Sequence, residues 1–190
     1  MERSYITDTE FEKIRHAESP LERADYEGCT FVSCDFSEAD LGGFRFIDCI
    51  FKACNLSMTR LEKTSFQEVE FRECKMLGLR FEHCNPLGMS FSFENCQLNH
   101  SSFYSLKLPR VRFIRCLLQE ADFTGTDLSG AVFQECDLRL AVFENTLLEK
   151  ADLSTANHYT LDPEINYIRE AKFSLPAVTG LLHKYQIEIL

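Results

Sequence analysis

Nine cysteines and five histidines are the side chains of this chain best equipped for metal ligation, redox pairing or nucleophilic attack. Cys29, Cys34, Cys49, Cys54, Cys74, Cys84, Cys96, Cys116 and Cys136 could bind zinc, form disulfides or present a thiolate. His16, His83, His100, His158 and His183 could serve as bases or ligands. Their spacing speaks against each use. There is no Cys-x-x-Cys, His-x-x-x-His or Gly-x-Gly-x-x-Gly sequence, no phosphate loop and no nucleophile motif. The cysteine count is odd, and Cys34, Cys54 and Cys74 recur every twenty residues, as do Cys96, Cys116 and Cys136. If those residues stand in vertical columns, neighbouring Cβ atoms lie about 4.8 Å apart, beyond the disulfide range of about 3.5–4.5 Å. A column also cannot surround a tetrahedral ion. The expectation is nine free structural thiols, no metal, no cofactor and no enzyme.

The columns follow from the rest of the sequence. Apolar residues fall at every fifth position in two runs. The first is Tyr26, Phe31, Phe36, Leu41, Phe46, Phe51, Leu56, Leu61, Phe66, Phe71, Met76 and Phe81. The second starts at Phe93 and alternates Phe and Leu strictly through Phe143 before ending on Leu148 and Leu153. Five steps of about 100° scatter such residues around a helix, and an odd period flips them between the faces of a straight strand. They share one interior only if the chain turns a corner once per repeat. Four corners close a square coil of about twenty residues, whose copies stack as parallel β-structure about 4.8 Å apart. Every cysteine sits two residues before a central position, or before the Pro86 that stands in for one, in a slot that elsewhere mostly holds Ala, Thr, Val or Ser. Residues two apart in extended chain point the same way, so this slot also faces inward and must be small.

Ala24-Asp25-Tyr26, Ala39-Asp40-Leu41, Ala121-Asp122-Phe123 and Ala151-Asp152-Leu153 complete the pattern. With these motifs the chain resembles the pentapeptide-repeat proteins over roughly residues 21–155. The resemblance implies an all-β solenoid, a right-handed quadrilateral β-helix. The organisation read from the sequence is an N-terminal cap over 1–20, the β-helix over 21–155 and a C-terminal helical cap and dimerisation segment over 156–190.

No stretch of this 190-residue chain is apolar enough to span a bilayer, and Met1-Glu2-Arg3-Ser4-Tyr5 lacks the apolar core of a signal peptide. A single cytoplasmic domain is expected, with no membrane partner.

The repeat slips once. Phe81 and Phe93 are twelve residues apart, two more than a multiple of five. Pro86 and Gly88 are turn formers, so Asn85, Pro86, Leu87, Gly88, Met89 and Ser90 should form a loop that exposes Leu87 and Met89, either as a tolerated insertion or as a partner contact. Asp162-Pro163-Glu164 reads as a cap opening a short turn or helix, and Ser174-Leu175-Pro176 as the start of a second helix. Val178, Leu181, Leu182 and Tyr185 follow i, i+3, i+4, i+7, and Ile187 and Ile189 lie in a strand-like tail. Gly180 weakens that helix by about 1 kcal/mol relative to Ala. These six apolar residues are the expected interface of a homodimer, which would also cover a raw sheet edge.

The formal charge is −10, and residues 21–155 hold 21 acidic and 14 basic residues, so the chain should repel nucleic acid. Part of that acidity is structural, because Asp25, Asp40, Asp122, Asp127, Asp137 and Asp152 share a repeat slot suited to bonding turn amides. The chain is also similar to the Qnr-type quinolone-resistance and microcin-immunity pentapeptide proteins. Asp162-Pro163-Glu164-Ile165-Asn166, Ala171-Lys172-Phe173-Ser174-Leu175-Pro176 and Leu181-Leu182 carry that likeness. It implies a dimeric, acidic rod acting on DNA gyrase or topoisomerase IV. The alternative is an interaction scaffold with an unrelated protein partner. An unbroken acidic stripe along one side would favour the first, and scattered charges the second.

Overall fold

The computed structural model describes residues 4–188. Four short strands, Tyr5–Thr7, Asp25–Glu27, Arg45–Ile47 and Ser65–Gln67, form one parallel sheet. Nine more form a second: Glu10–Glu12, Thr30–Val32, Ile50–Lys52, Val69–Arg72, Phe91–Glu94, Arg112–Ile114, Val132–Gln134, Asp152–Leu153 and Lys172–Phe173. The register advances by one coil at a time, so Phe31 faces Phe51, Phe51 faces Phe71 and Phe113 faces Phe133. Two columns of isolated bridges complete the square. One runs from Arg15 through Asp35, Asn55, Lys75, Gln97, Leu117 and Asp137 to Asn157; the other joins Asp40 to Arg60 and Arg80 through Ser102 and Asp122 to Val142. The result is the expected β-solenoid.

Corners are made by the residue two after each central position. Glu38, Met58, Glu73, Arg115 and Leu140 all adopt φ between 51° and 58° there. This left-handed conformation costs an L-residue about 1–2 kcal/mol. Each corner is held by backbone bonds to the next coil, such as Arg115 N–H to the Gln134 carbonyl at 2.7 Å, and by the large side chain buried beside it. That burial outweighs the local strain, which is why polar and apolar residues alike accept the geometry.

Inside, the central rings stack. Phe31 and Phe51 lie 4.6 Å apart at 13°, Phe71 and Phe93 5.3 Å apart at 11°, and Phe93 and Phe113 5.1 Å apart at 3°. These distances suit offset aromatic stacking. The slot two residues earlier is more than small. The Cys49 thiol donates to the Tyr26 carbonyl at 3.4 Å, and the Thr126 hydroxyl to the Phe103 carbonyl at 2.7 Å, each twenty-three residues back. Thr59, Thr64 and Thr146 make the same bond. All nine cysteines are free and buried. Burial pushes the Cys49 thiol up to about 12 and raises Cys84 as well.

Of the six slot aspartates, Asp40, Asp122, Asp127, Asp137 and Asp152 accept a hydrogen bond from the amide two residues on. Asp25 instead pairs with Arg45 at 2.7 Å.

The ends differ from expectation. Residues 5–20 form a coil rather than a separate cap: Ile6 faces Tyr26 and Phe11 faces Phe31, with the Phe11 and Phe31 rings 5.0 Å apart. At the other end the ladder continues past Leu153, since Lys172 and Phe173 pair with Asp152 and Leu153. The anticipated cap helix is two short 3-10 helices, Val178–Leu181 and His183–Tyr185. Its segment lies across the last coil, where Leu161 N–H donates to the Gly180 carbonyl at 3.3 Å. A Cβ on Gly180 would collide with the carbonyl oxygen of Tyr159. This close approach, not helix propensity, accounts for the glycine.

Candidate functional site

The phase slip sits on the side of the coil that carries the four-stranded sheet. Asn85 N–H donates to the Thr64 carbonyl at 2.8 Å, Ser90 N–H to the Phe66 carbonyl at 3.0 Å, and Gln67 Nε2 to the Leu87 carbonyl at 3.1 Å. Asn85 Oδ1 accepts from the Leu87 amide and its Nδ2 reaches Ser65 Oγ, which fixes the turn around Pro86 and Gly88. The loop ends that sheet, and the side resumes one coil later at Lys107, bridged to Asp127. Leu87 is 75% exposed, as expected. Met89 is not: it is half-buried and packs on the core, because the two extra residues let the chain fold its thioether inward before Phe91 re-enters the stack.

The five interface candidates among the described residues do not share one surface. Leu181 packs on the core and Val178 is half-buried, whereas Leu182, Tyr185 and Ile187 are exposed. Ile189 lies outside the described residues. What pins the segment is an ionic latch that the sequence reading missed. Lys184 Nζ lies 2.7 Å from Asp162 Oδ1 and 2.6 Å from Glu164 Oε2, while the Tyr185 hydroxyl donates to Glu164 Oε1 at 2.9 Å. Lys184 holds both carboxyls below their usual range. Nothing in the sequence distinguishes Lys184 from any other surface lysine. Asn166 was legible in principle, since it stands two residues before Ile168 in the donor slot and bonds the Phe143 carbonyl at 2.9 Å.

An open cleft of about 690 Å³ separates this segment from Ser154, Thr155 and His158, and a shallower one of about 350 Å³ exposes Leu140, Val142 and Ile165. Neither gathers a reactive set. Three of the histidines stand singly beside a carboxylate in different coils: His83 by Glu62, His100 by Glu120 and His158 by Asp137. Burial beside Phe36 lowers the pKa of His16. Among the described residues no group of three or more His, Cys, Asp or Glu converges as a metal site would. No helix among them is long and apolar enough to cross a membrane.

The acids are interleaved with bases and joined to them between coils. Arg45 binds Asp25 at 2.7 Å, Arg60 binds Asp40 at 3.3 Å, Arg115 binds Glu94 at 2.5 Å and Lys172 binds Asp152 at 3.3 Å. Among the described residues these pairs interrupt the acids between coils, leaving scattered charges rather than an unbroken stripe.

A family model described as a pentapeptide repeat region matches residues 24–103 and 79–153. The chain belongs to the pentapeptide-repeat family. No individual curated protein matches it in sequence. Among solved structures, this pentapeptide-repeat chain is similar to a trypsin-treated form of QnrB1, a plasmid-mediated fluoroquinolone resistance protein. The TM-score is 0.64 at 21% identity, over 98% of this chain and 100% of that one. Full-length QnrB1 matches with a TM-score of 0.50 at 23% identity, over 97% of this chain and 100% of that one. HetL, a pentapeptide-repeat protein involved in heterocyst differentiation regulation from the cyanobacterium Nostoc, matches with a TM-score of 0.50 at 17% identity. That alignment covers 88% of this chain and 84% of HetL. At these identities the likeness establishes the fold.

Proposed function

We propose that this pentapeptide-repeat protein is a non-enzymatic, acidic rod that binds a type II DNA topoisomerase, DNA gyrase or topoisomerase IV, and alters its response to quinolones or related poisons. The observation that carries the reading is the end-to-end fold likeness to QnrB1, a fluoroquinolone resistance protein, over 98% of this chain and 100% of the other. The net charge of −10 supports it by favouring a basic, DNA-binding groove over DNA itself. In this reading the protein acts in the cytoplasm as a homodimer joined through Leu182, Tyr185 and Ile187, and its loop at 85–90 supplies short-range contact. Imitation of DNA rests on net charge, because inter-coil ion pairs interrupt any stripe.

A second reading, an interaction scaffold with an unrelated protein partner, is favoured by that same pairing of charges. A supercoiling assay with purified gyrase, with and without a fluoroquinolone, separates the two. The topoisomerase reading expects retained supercoiling in the presence of drug, or direct inhibition without it. Unchanged activity under both conditions supports the scaffold.

A further inference from the structure

From Asn95 to Gln119 this acidic chain contains no carboxylate side chain, although acidic residues number 30 in 190 overall. That interval is longer than one coil, so a complete turn of the rod is free of acid. It carries Lys107, Arg110, Arg112 and Arg115. Arg115 is occupied, bound to Glu94 and to Asn95 Oδ1 at 2.8 Å. Lys107, Arg110 and Arg112 are exposed and have no carboxylate at ion-pair distance among the described residues. Of the nearby acids, Asp127, the ladder neighbour of Lys107, accepts from the Ser129 amide through Oδ1, and Glu120 faces His100. Arg112 stands between neutral ladder neighbours, Ser92 below and Val132 above.

The position of this band matters. Lys107 and Arg110 occupy the side of the coil that carries the 85–90 loop, one coil further along, and Arg112 lies round the next corner. The loop presents Leu87 at 75% exposure, and Tyr104, just before the corner leading to Lys107, is 51% exposed. Uncommitted cations flanked by two exposed apolar side chains have the composition of a recognition surface rather than of a solvated face.

We infer that this band is a docking surface for an acidic protein segment bearing an apolar side chain, which crosses the rod rather than running along it. Carboxylate-to-cation attraction would orient the segment, and Leu87 and Tyr104, on adjoining sides, would each cover apolar surface of it. The height of the band decides against a nucleic acid. One coil rises only about 5 Å, whereas a duplex groove alone is about 12 Å wide. A duplex laid here would meet Glu70 and Glu73 below and Glu135 and Glu149 above. A single extended chain, about one coil high, can follow the cations. The inference stands whether or not the partner is a topoisomerase.

The test is fluorescence anisotropy at low salt with the full chain and three probes: a labelled peptide of glutamates around two leucines, its lysine counterpart, and a labelled DNA duplex. The acidic peptide should bind and the other two should not. Combined Lys107→Glu, Arg110→Glu and Arg112→Glu should weaken acidic-peptide binding by about tenfold or more. Leu87→Ala should weaken it by about threefold, and the control Lys52→Glu should leave it unchanged. All five positions are exposed, so an unshifted thermal melt confirms that each variant folds. Absence of acidic-peptide binding, equal binding by the triple variant, or tighter binding of the duplex would each overturn the inference.

Discussion

The hydroxyl of Thr126 donates to the carbonyl of Phe103, twenty-three residues earlier, at 2.7 Å. The same bond recurs at Thr59, Thr64 and Thr146, and Cys49 and Cys136 make it with sulfur. Seven of the nine thiols, those of Cys29, Cys34, Cys49, Cys54, Cys74, Cys96 and Cys136, are therefore rungs between coils.

Thr126→Val keeps the shape and removes the donor. The Phe103 carbonyl retains Leu106 N–H, so the cost should be about 0.5–1.5 kcal/mol. Thr126→Cys should be nearly neutral. Denaturant melts decide this, and equal losses for Val and Cys would show that size alone governs the slot.

Phe123 is stacked between Phe103 at 5.0 Å and Phe143 at 5.1 Å, and edge-on to Phe113 and Phe133. A single-file core cannot collapse into the gap, so Phe123→Ala should cost about 3–5 kcal/mol. Its outward neighbour Thr124→Ala should stay within about 0.5 kcal/mol. Comparable losses at both positions in urea melts would contradict the assigned inward face.

The interior was legible because period five admits one solution, a corner per repeat. The ends were harder for two different reasons. Ile6, Phe11 and Leu21 keep the first run's spacing, but His16 interrupts it and the segment is rich in charge. Ile168 and Phe173 keep the second run's spacing across His158 and Pro163. The apparent helix at 178–185 failed because consecutive 3-10 turns also bring residues three and four apart together. At the loop, Leu87 was foreseen and the inward turn of Met89 was not, since side-chain direction after a phase slip depends on how the extra residues fold. The Lys184 latch joins residues twenty or more apart without a repeat to announce it.

Asp152 is held below the usual carboxylate pKa by the Ser154 hydroxyl and amide, with Lys172 adding to them. A depressed folded pKa means that its contribution is complete above the unfolded value of about 3.9 and is lost as pH falls through the folded one. Asp152→Asn should therefore melt below the parent at pH 7, and the gap should close below about pH 4. A gap independent of pH would show that the bonds do not depend on charge.

Gly180→Ala should force the C-terminal segment off the last coil. If that segment forms the homodimer, the variant should sediment at lower mass than the parent at equal concentration. Deleting residues 174–190 should give monomers or aggregates, because the final coil's edge would be bare. A parent chain that sediments as a monomer at micromolar concentration would end the dimer proposal.

The central functional claim is tested most directly by measuring binding of the purified chain to gyrase and to topoisomerase IV across a salt series. The account predicts binding at low salt that weakens as ionic strength passes about 0.15 M, where charges are screened beyond about 8 Å. No binding to either enzyme at low salt would contradict it.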